Sequence, residues 1–536
     1  MNGKTRTPLA ASFLLLAALA ASAFPLLARG RGRTDAPNRM ATWTEILALV
    51  EERHVPPVDP KDAIYASIRG MLHTLDPHSN FLDEEAYREM REDQRGTFYG
   101  LGIVISKRGR YQPLRVVSPI ADTPAARMGI RAGDIITHIR DERAGVDIDT
   151  MGLTIQEAVK YLRGPRGTVV EVTIHRPGLD EPLVFRVTRD AVRTPAVNQA
   201  FLVRPGIGYV HIANFTETTA AELDRALEDL SRQGAEKLLL DLTGNPGGLL
   251  DQAIAVASRF LQPGELVVYT EGRLPGSRQD YPAVSDAPRV SWPVVILVDR
   301  GSASASEIVS GALQDHDRAI IVGETTFGKG LVQSVYPLSE GCALALTTQK
   351  YFTPAGRCIQ RSWASEEEYF FEVQQREPVP GPPPGAKRYR TDTGRTVFGG
   401  GGITPDVPFR APELPETVVR LLRVSAFSRF VTPRPDEDLA RWEEHPDQLL
   451  AAFREFVARE IEGVTPADLD AARDQVLLRL RAEVALARHG MTAHDRVLLE
   501  ASPLVEKAIE SFPEAERLLA ARAKVLARKT ARAGNR

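Results

Sequence analysis

Three alternate serines, Ser302, Ser304 and Ser306, stand in GSASASEIVSGALQD, directly after the apolar run VVILVD at 294–299. The run reads as a core strand and the spacing beyond it as a helix, so the small residues between them form a tight turn. A hydroxyl on such a turn is exposed beside a helix N-terminus, where unpaired N–H groups can stabilise an oxyanion. Any of the three serines could hold that place. Each could equally cap the helix, because Ser at an N-cap with a carboxylate downstream is a common pattern.

A second glycine-rich stretch, ETTFGKGLVQ, places Lys329 just after another apolar run, AIIVG at 319–323. Burial disfavours the ammonium, so a lysine there can act as a neutral amine and accept a proton from a serine hydroxyl. Ser–Lys pairs are one variant of the nucleophile–base arrangement. Gln333, four positions on, falls on the same side of a helix or a strand and could orient the lysine through its amide oxygen.

Other chemistries fit less well. GETTFGK at 323–329 matches most of a P-loop, but Gly330 replaces the hydroxyl residue that holds Mg²⁺, and LVQSVYPL alternates like a strand where a helix is required. No G-x-S-x-G elbow is present, and His316 reads as an ordinary surface histidine. No His pair forms H-E-x-x-H, and two cysteines, Cys342 and Cys358, are too few for a structural zinc site. They either pair across a hairpin or remain free thiols. The expectation is no metal and no cofactor.

The elements that must position these residues follow from the pattern of the chain. Helical periodicity runs over 42–93, interrupted by the turn signal LDPHS at 75–79, where His78 reads as a solvated turn residue. Between 96 and 192, short strands with glycine punctuation and one helix at 154–162 make a small, mostly β module. Apolar runs at 207–215, 237–242, 294–299 and 319–323 alternate with helical segments, which predicts an α/β core with a largely parallel sheet. The stretch 377–402, with EPVPGPPPG and FGGGG, reads as a long surface loop, and the chain beyond 412 as charged helices ending in a solvated basic terminus (Arg522, Lys524, Arg528, Lys529, Arg532, Arg536).

GSASASEIVSGALQDHDRA followed by GETTFGKGLVQ resembles the two active-site motifs of carboxyl-terminal processing (tail-specific) serine proteases. DLTGNPGGLL at 241–250 resembles the family's glycine motif, YFTPAGR and GITPDV its closing motif, and YGLGI at 99–103 its PDZ domain. The resemblance covers about 42–410. It implies a multidomain α/β protein: signal peptide or membrane anchor (1–29), N-terminal helical region (30–95), PDZ domain (96–192), ClpP/crotonase-like α/β protease core (193–410) and C-terminal helical region (411–536). It assigns Ser304 as nucleophile, Lys329 as base, Gln333 as its orienting partner, and the N–H groups of Gly248 and Ala305 as oxyanion hole. Leu101, Gly102 and Ile103 would hold a substrate's terminal carboxylate, with Arg163 as a sensor of PDZ occupancy. Thr243-Gly244 departs from the Arg and polar residue usual before Asn245-Pro246-Gly247-Gly248. The implied activity is an endopeptidase acting on proteins with free C-termini through an acyl-enzyme; the competing reading is a non-catalytic PDZ scaffold. Family members assemble through helical termini, which implies a homo-oligomer.

The chain has 536 residues, too many for a single core, so several domains are expected. A net charge of -3 gives no general attraction to nucleic acid. Residues 8–28 are apolar and uncharged after Lys4 and Arg6, the layout of an export signal or an uncleaved membrane anchor, which points to the bacterial periplasm or to the inner membrane facing it.

Overall fold

A computed structural model of the protein describes residues 36–107, 109–176, 178–284, 289–363, 365, 369 and 385–533. The apolar segment 8–28 and most of the proline-rich stretch lie outside the described residues. No described helix is long and apolar enough to cross a membrane. The chain divides into two units, Met1–Asp76 and Pro77–Arg536.

In the first unit, α1 (Ala36–Arg53) and α2 (Pro60–His73) follow the predicted periodicity, and the Asp59 side chain caps α2 by accepting the Lys61 N–H.

The second unit opens with β1 (Asn80–Leu82), which pairs antiparallel with Ala343, Leu344 and Ala345. The sequence reading had this stretch helical. A three-residue strand paired with residues some 260 positions away carries no local period by which to see it. His78 is not simply solvated either, for its Nε2 lies 3.0 Å from the Tyr369 hydroxyl. Helix α3 (Glu84–Arg95) follows, then β2 (Thr97–Gly100).

A PDZ-like module comprises β3 (Ile103–Ser106), β4 (Leu114–Pro119), α4 (Pro124–Met128), β5 (Ile135–Asp141), β6 (Val146–Asp149), α5 (Ile155–Leu162), β7 (Val169–His175) and β8 (Leu183–Thr188). Its core is Leu101, Leu114, Val116, Ile136, Ile139, Leu162, Val170 and Val172. The chain leaves through β9 (Asp190–Arg193), which pairs with β2, so one ribbon carries both connections. Helix α5 starts at a capping box, Thr154 with Glu157. At its far end the buried Arg189 donates to the Tyr161 and Leu162 carbonyls and pairs with Asp141 at 2.8 Å.

The core follows: β10 (Val197–Arg204), β11 (Ile207–Ile212), α6 (Thr219–Arg232), β12 (Lys237–Asp241), α7 (Leu250–Ser258), β13 (Leu266–Gly272), β14 (Gln279–Pro282), β15 (Val294–Val298), α8 (Ala305–Asp315), β16 (Ala319–Gly323), β17 (Leu331–Pro337), β18 (Ala343–Phe352), β19 (Arg388–Arg390), β20 (Thr396–Phe398) and β21 (Val407–Pro408). The central sheet has the order β10-β11-β12-β15-β16-β21 and is parallel from β11 onward. Both its faces are buried, which is why VVILV and AIIVG are continuously apolar rather than alternating. Leu238, Leu240, Val294, Ile296 and Ile321 face α6, α7 and α8. Leu239, Val295, Leu297, Ile320 and Val322 face the other way. A second sheet joins β1, β18, β13 and β14, with β17 on β18.

The predicted loop at 377–402 is partly regular. β19 and β20 form a hairpin, held to the core by Arg395, which pairs with Asp317 (2.6 Å) and Asp406 (2.7 Å). Ion pairs with residues distant in sequence order a stretch whose composition alone reads as irregular.

Helices α9 (Glu416–Arg423), α10 (Ala426–Val431), α11 (Asp436–Glu444), α12 (Pro446–Glu460), α13 (Pro466–Ala471) and α14 (Arg473–His489) enclose their own aromatic core, with Phe430 stacked on Trp442. Then α15 (Met491–Glu500), α16 (Pro503–Glu510) and α17 (Phe512–Ala533) return to the central sheet and cover its second face with Val505, Ala508, Phe512, Ala515 and Leu518. The basic terminus is solvated only in part: Lys524, Arg528 and Lys529 are exposed, but Arg522 is not. Arg522 is buried and pairs with Glu265, and Lys529 pairs with Asp392 at 3.0 Å.

Candidate active site

β15 leads into Asp299, whose Oδ1 accepts the N–H groups of Gly301 (2.9 Å), Ser302 (3.0 Å) and Gly244 (2.8 Å). The turn so formed delivers Ser304 at φ 54° and ψ −110°, a conformation a non-glycine residue keeps only where its surroundings enforce it. Ser302 and Ser306 are fully buried and donate to the Leu242 (2.7 Å) and Asn245 (3.0 Å) carbonyls. Ser304 alone of the three is partly exposed, at the N-terminus of α8.

Beside it runs the loop Gly244-Asn245-Pro246-Gly247-Gly248. The buried Asn245 holds it, donating to the Ile212 carbonyl (2.7 Å) and accepting the Gly247 N–H (2.9 Å). A Cβ on Gly247 would stand 2.8 Å from the Ser304 Cβ, and one on Gly248 (φ 144°) 2.1 Å from the Phe215 carbonyl oxygen, so neither position admits a side chain. Among the described residues, no acceptor takes the N–H of Gly248 or of Ala305, the first residue of α8.

β16 ends at Gly323, where a Cβ would meet the Val298 carbonyl at 2.0 Å, and the chain turns through Lys329 into β17. The Phe327 N–H donates to the Ser302 carbonyl at 3.0 Å, binding the lysine loop to the serine turn. Gln333 sits on β17 and donates its amide to Thr347 on β18 at 3.2 Å.

Sequence reasoning passed over two residues that link these loops. Glu307, on the first turn of α8, is completely buried and accepts the N–H groups of Ser304 (2.8 Å), Gly328 (2.7 Å) and Lys329 (2.9 Å) and the hydroxyl of Thr326 (2.6 Å). Tyr351, on β18, donates its hydroxyl to the Lys329 carbonyl, and that hydroxyl also lies 3.2 Å from the Ser304 carbonyl. The carboxylate downstream of the serines was visible as a capping pattern; its reach to the second motif was not.

His316 differs from its sequence reading as a surface residue: it is buried at the end of α8, with Nδ1 2.9 Å from Asp392 and Nε2 2.7 Å from the Leu266 carbonyl. Both neighbours are acceptors, which favours the doubly protonated ring, and Glu265, His316 and Asp392 cluster closely around it. Burial opposes that charge, but Asp392, the Leu266 carbonyl and Glu265 outweigh it and raise the imidazole's pKa. Cys342 and Cys358 are free thiols.

In the β module, Gly102 has φ 78° and a Cβ there would fall 2.2 Å from that of Thr123. The Leu101 and Gly102 carbonyls accept the Ala125 and Ile120 N–H groups (both 2.9 Å), fixing the loop that leads through Ile103 into β3. Arg163 closes α5 and lies over the Phe98 ring of β2, 4.2 Å from its centroid, rather than pointing into solvent.

Two stretches match family models: 206–365 that of peptidase family S41 and 115–176 that of the PDZ domain. The carboxy-terminal-processing protease of Bartonella bacilliformis is 43% identical over 327 residues, 60% of this chain and 73% of that protein. The chain belongs to the carboxyl-terminal processing protease family. CtpA of Bacillus subtilis is 30% identical over 65% of the chain and 74% of its own length. The solved photosystem II D1 C-terminal processing protease aligns with 69% of this chain and 86% of its own at 29% identity and a TM-score of 0.37. This family member is thus a serine-type peptidase that pairs an S41 core with a PDZ domain.

Proposed function

We propose that the protein is an exported endopeptidase that captures substrates by their free C-termini and cleaves them with a Ser304–Lys329 dyad. The observation that carries this reading is the convergence of the two loops: Ser304 and Lys329 bond through their backbones to the same carboxylate and the same phenol. Neutral Lys329, oriented by Gln333, takes the Ser304 proton as Oγ bonds to the scissile carbonyl carbon. The carbonyl oxygen gains charge and is held by the Gly248 and Ala305 N–H groups beside the positive end of α8. Lys329 returns the proton to the leaving amine as the C–N bond breaks, and water, activated the same way, hydrolyses the acyl-enzyme. Leu101, Gly102 and Ile103 supply N–H groups to the terminal carboxylate, and Arg163, stacked between α5 and the β2–β9 ribbon, reports occupancy to the core. Export places the enzyme in the periplasm or at the inner membrane, and a homo-oligomer is part of this reading.

The test is labelling by a fluorophosphonate together with cleavage of an unfolded protein bearing an apolar C-terminal tail, in EDTA and without ATP. The intact enzyme is expected to label and cleave, and Ser304→Ala to do neither. Amidating the tail's terminal carboxylate should weaken cleavage by about tenfold or more through KM, the worth of a charged hydrogen-bond set. An intact enzyme that binds the tail yet neither labels nor cleaves would be a peptide-binding scaffold. Gly248→Ala must displace its loop from Phe215, and is expected to lower kcat by roughly 10²- to 10³-fold, as for loss of an oxyanion donor.

A further inference from the structure

We propose that Glu307 is a positioning residue of the peptidase, and that its ionised carboxylate, by tying the Ser304 and Lys329 backbones to one point, makes proteolysis depend on its own deprotonation. The inference rests on the Ser–Lys reading above. Four donors converge on the two carboxylate oxygens: Oε1 takes the Thr326 hydroxyl and the Gly328 N–H, and Oε2 takes the Ser304 and Lys329 N–H groups. The Thr326 oxygen itself accepts the Ile403 N–H at 2.7 Å, which turns its hydrogen toward Glu307. A carboxylate, which only accepts, satisfies all four.

A neutral acid cannot. Its proton would need an acceptor, and three of the four neighbours are N–H groups. The fourth is a hydroxyl that would have to turn its own hydrogen away. Protonation therefore breaks the clasp at one of its corners, and the Ser304 N–H and the Lys329 N–H share the corner at Oε2.

Of the titratable side chains, Tyr351 on β18 interacts with the charge of Glu307, whereas Lys329 reaches the carboxylate through its backbone N–H. Tyr351 stays neutral, because burial and then the charge of Glu307 raise its pKa. Burial pushes Glu307 up to about 7 against the pull of its four donors, so the clasp changes state within the ordinary working range.

The experiment measures kcat/KM against pH for the full-length enzyme, the Glu307→Gln variant and the Thr326→Val variant, with the tailed unfolded protein as substrate. In the wild type, the acid limb is expected to steepen from a slope of about one, for Lys329, to about two below roughly pH 7, as a second ionisation becomes necessary. E307Q, whose amide presents donors to donors, should keep a slope of about one throughout, with kcat down about 100-fold and KM changed less than about twofold. T326V removes one donor from the charged form, so its steepening should move to higher pH by about one unit. A merely structural carboxyl would change none of these slopes. If E307Q fails to fold, the T326V shift decides alone. Wild-type kcat in E307Q, or a T326V profile superimposable on the wild type, overturns the proposal while Ser304→Ala and Lys329→Ala remain inactive. If those two variants stay active, the Ser–Lys reading itself is what fails.

Discussion

Lys329→Arg is expected to lose activity by about 10⁴-fold or more, close to the loss in Lys329→Ala, although the substitution keeps the positive charge and most of the length of the side chain. In the proposed mechanism the base must be neutral to take the Ser304 proton, and a guanidinium does not deprotonate in a protein. The backbone link survives, because Glu307 takes the N–H of residue 329 and any non-proline residue supplies one. The Tyr351 hydroxyl likewise reaches the carbonyl of residue 329, not its side chain. Thermal unfolding of K329R should therefore stay within a few degrees of wild type, and binding of a tail peptide to the PDZ domain should be unchanged. Steady-state cleavage, calorimetry and peptide titration together check this. Residual activity above about a tenth of wild type in K329R would mean that another group accepts the proton.

Much of the architecture is legible in the chain because its strongest signals are local. Continuous apolar runs at 294–298 and 319–323 announce strands buried on both faces, and the glycines that follow announce turns no side chain could fit. The family resemblance adds the assignments that local pattern leaves open, such as which of three serines stands at the turn. What stays hidden is whatever depends on residues far apart in sequence. Glu307 reads as an ordinary capping residue until the fold brings Thr326, Gly328 and Lys329 to it. Tyr351 is one aromatic in a strand until its hydroxyl meets both loops. Arg522 belongs to a basic terminal run and is nonetheless buried, since its partners, Glu265 and the His316 carbonyl, lie more than 200 positions earlier. The hairpin at 388–398 is invisible for the same reason.

Deleting residues 491–536 is expected to leave the protein unable to reach a soluble native state, although the deletion lies outside the stretch matched to the peptidase model and touches none of the residues assigned to chemistry. It would uncover one face of the central sheet, where Phe201, Val203, Tyr209, Leu239, Val295, Leu297, Ile320 and Val322 are all buried. Each large apolar side chain contributes roughly 1.5–3 kcal/mol by burial. Eight of them together, roughly 12–24 kcal/mol, are comparable to or larger than the 5–15 kcal/mol typical of a domain's net stability. The milder Phe512→Ala, which removes a ring seated against that face beneath Lys237, should cost about 3–5 kcal/mol and lower the unfolding temperature measurably. A truncated chain that stays soluble with the wild-type unfolding temperature would show that this face needs no helical cover. The link to the proposed dyad is direct: β15 and β16, whose second faces these helices cover, lead into the Ser304 turn and the Lys329 loop. Arg522 of α17 donates to the His316 carbonyl at the C-terminus of α8, a cation at the negative end of the helix whose other end presents Ser304. The C-terminal helices thus form the second layer of the peptidase core, and their loss would remove the footing of the Ser304 turn and the Lys329 loop at once.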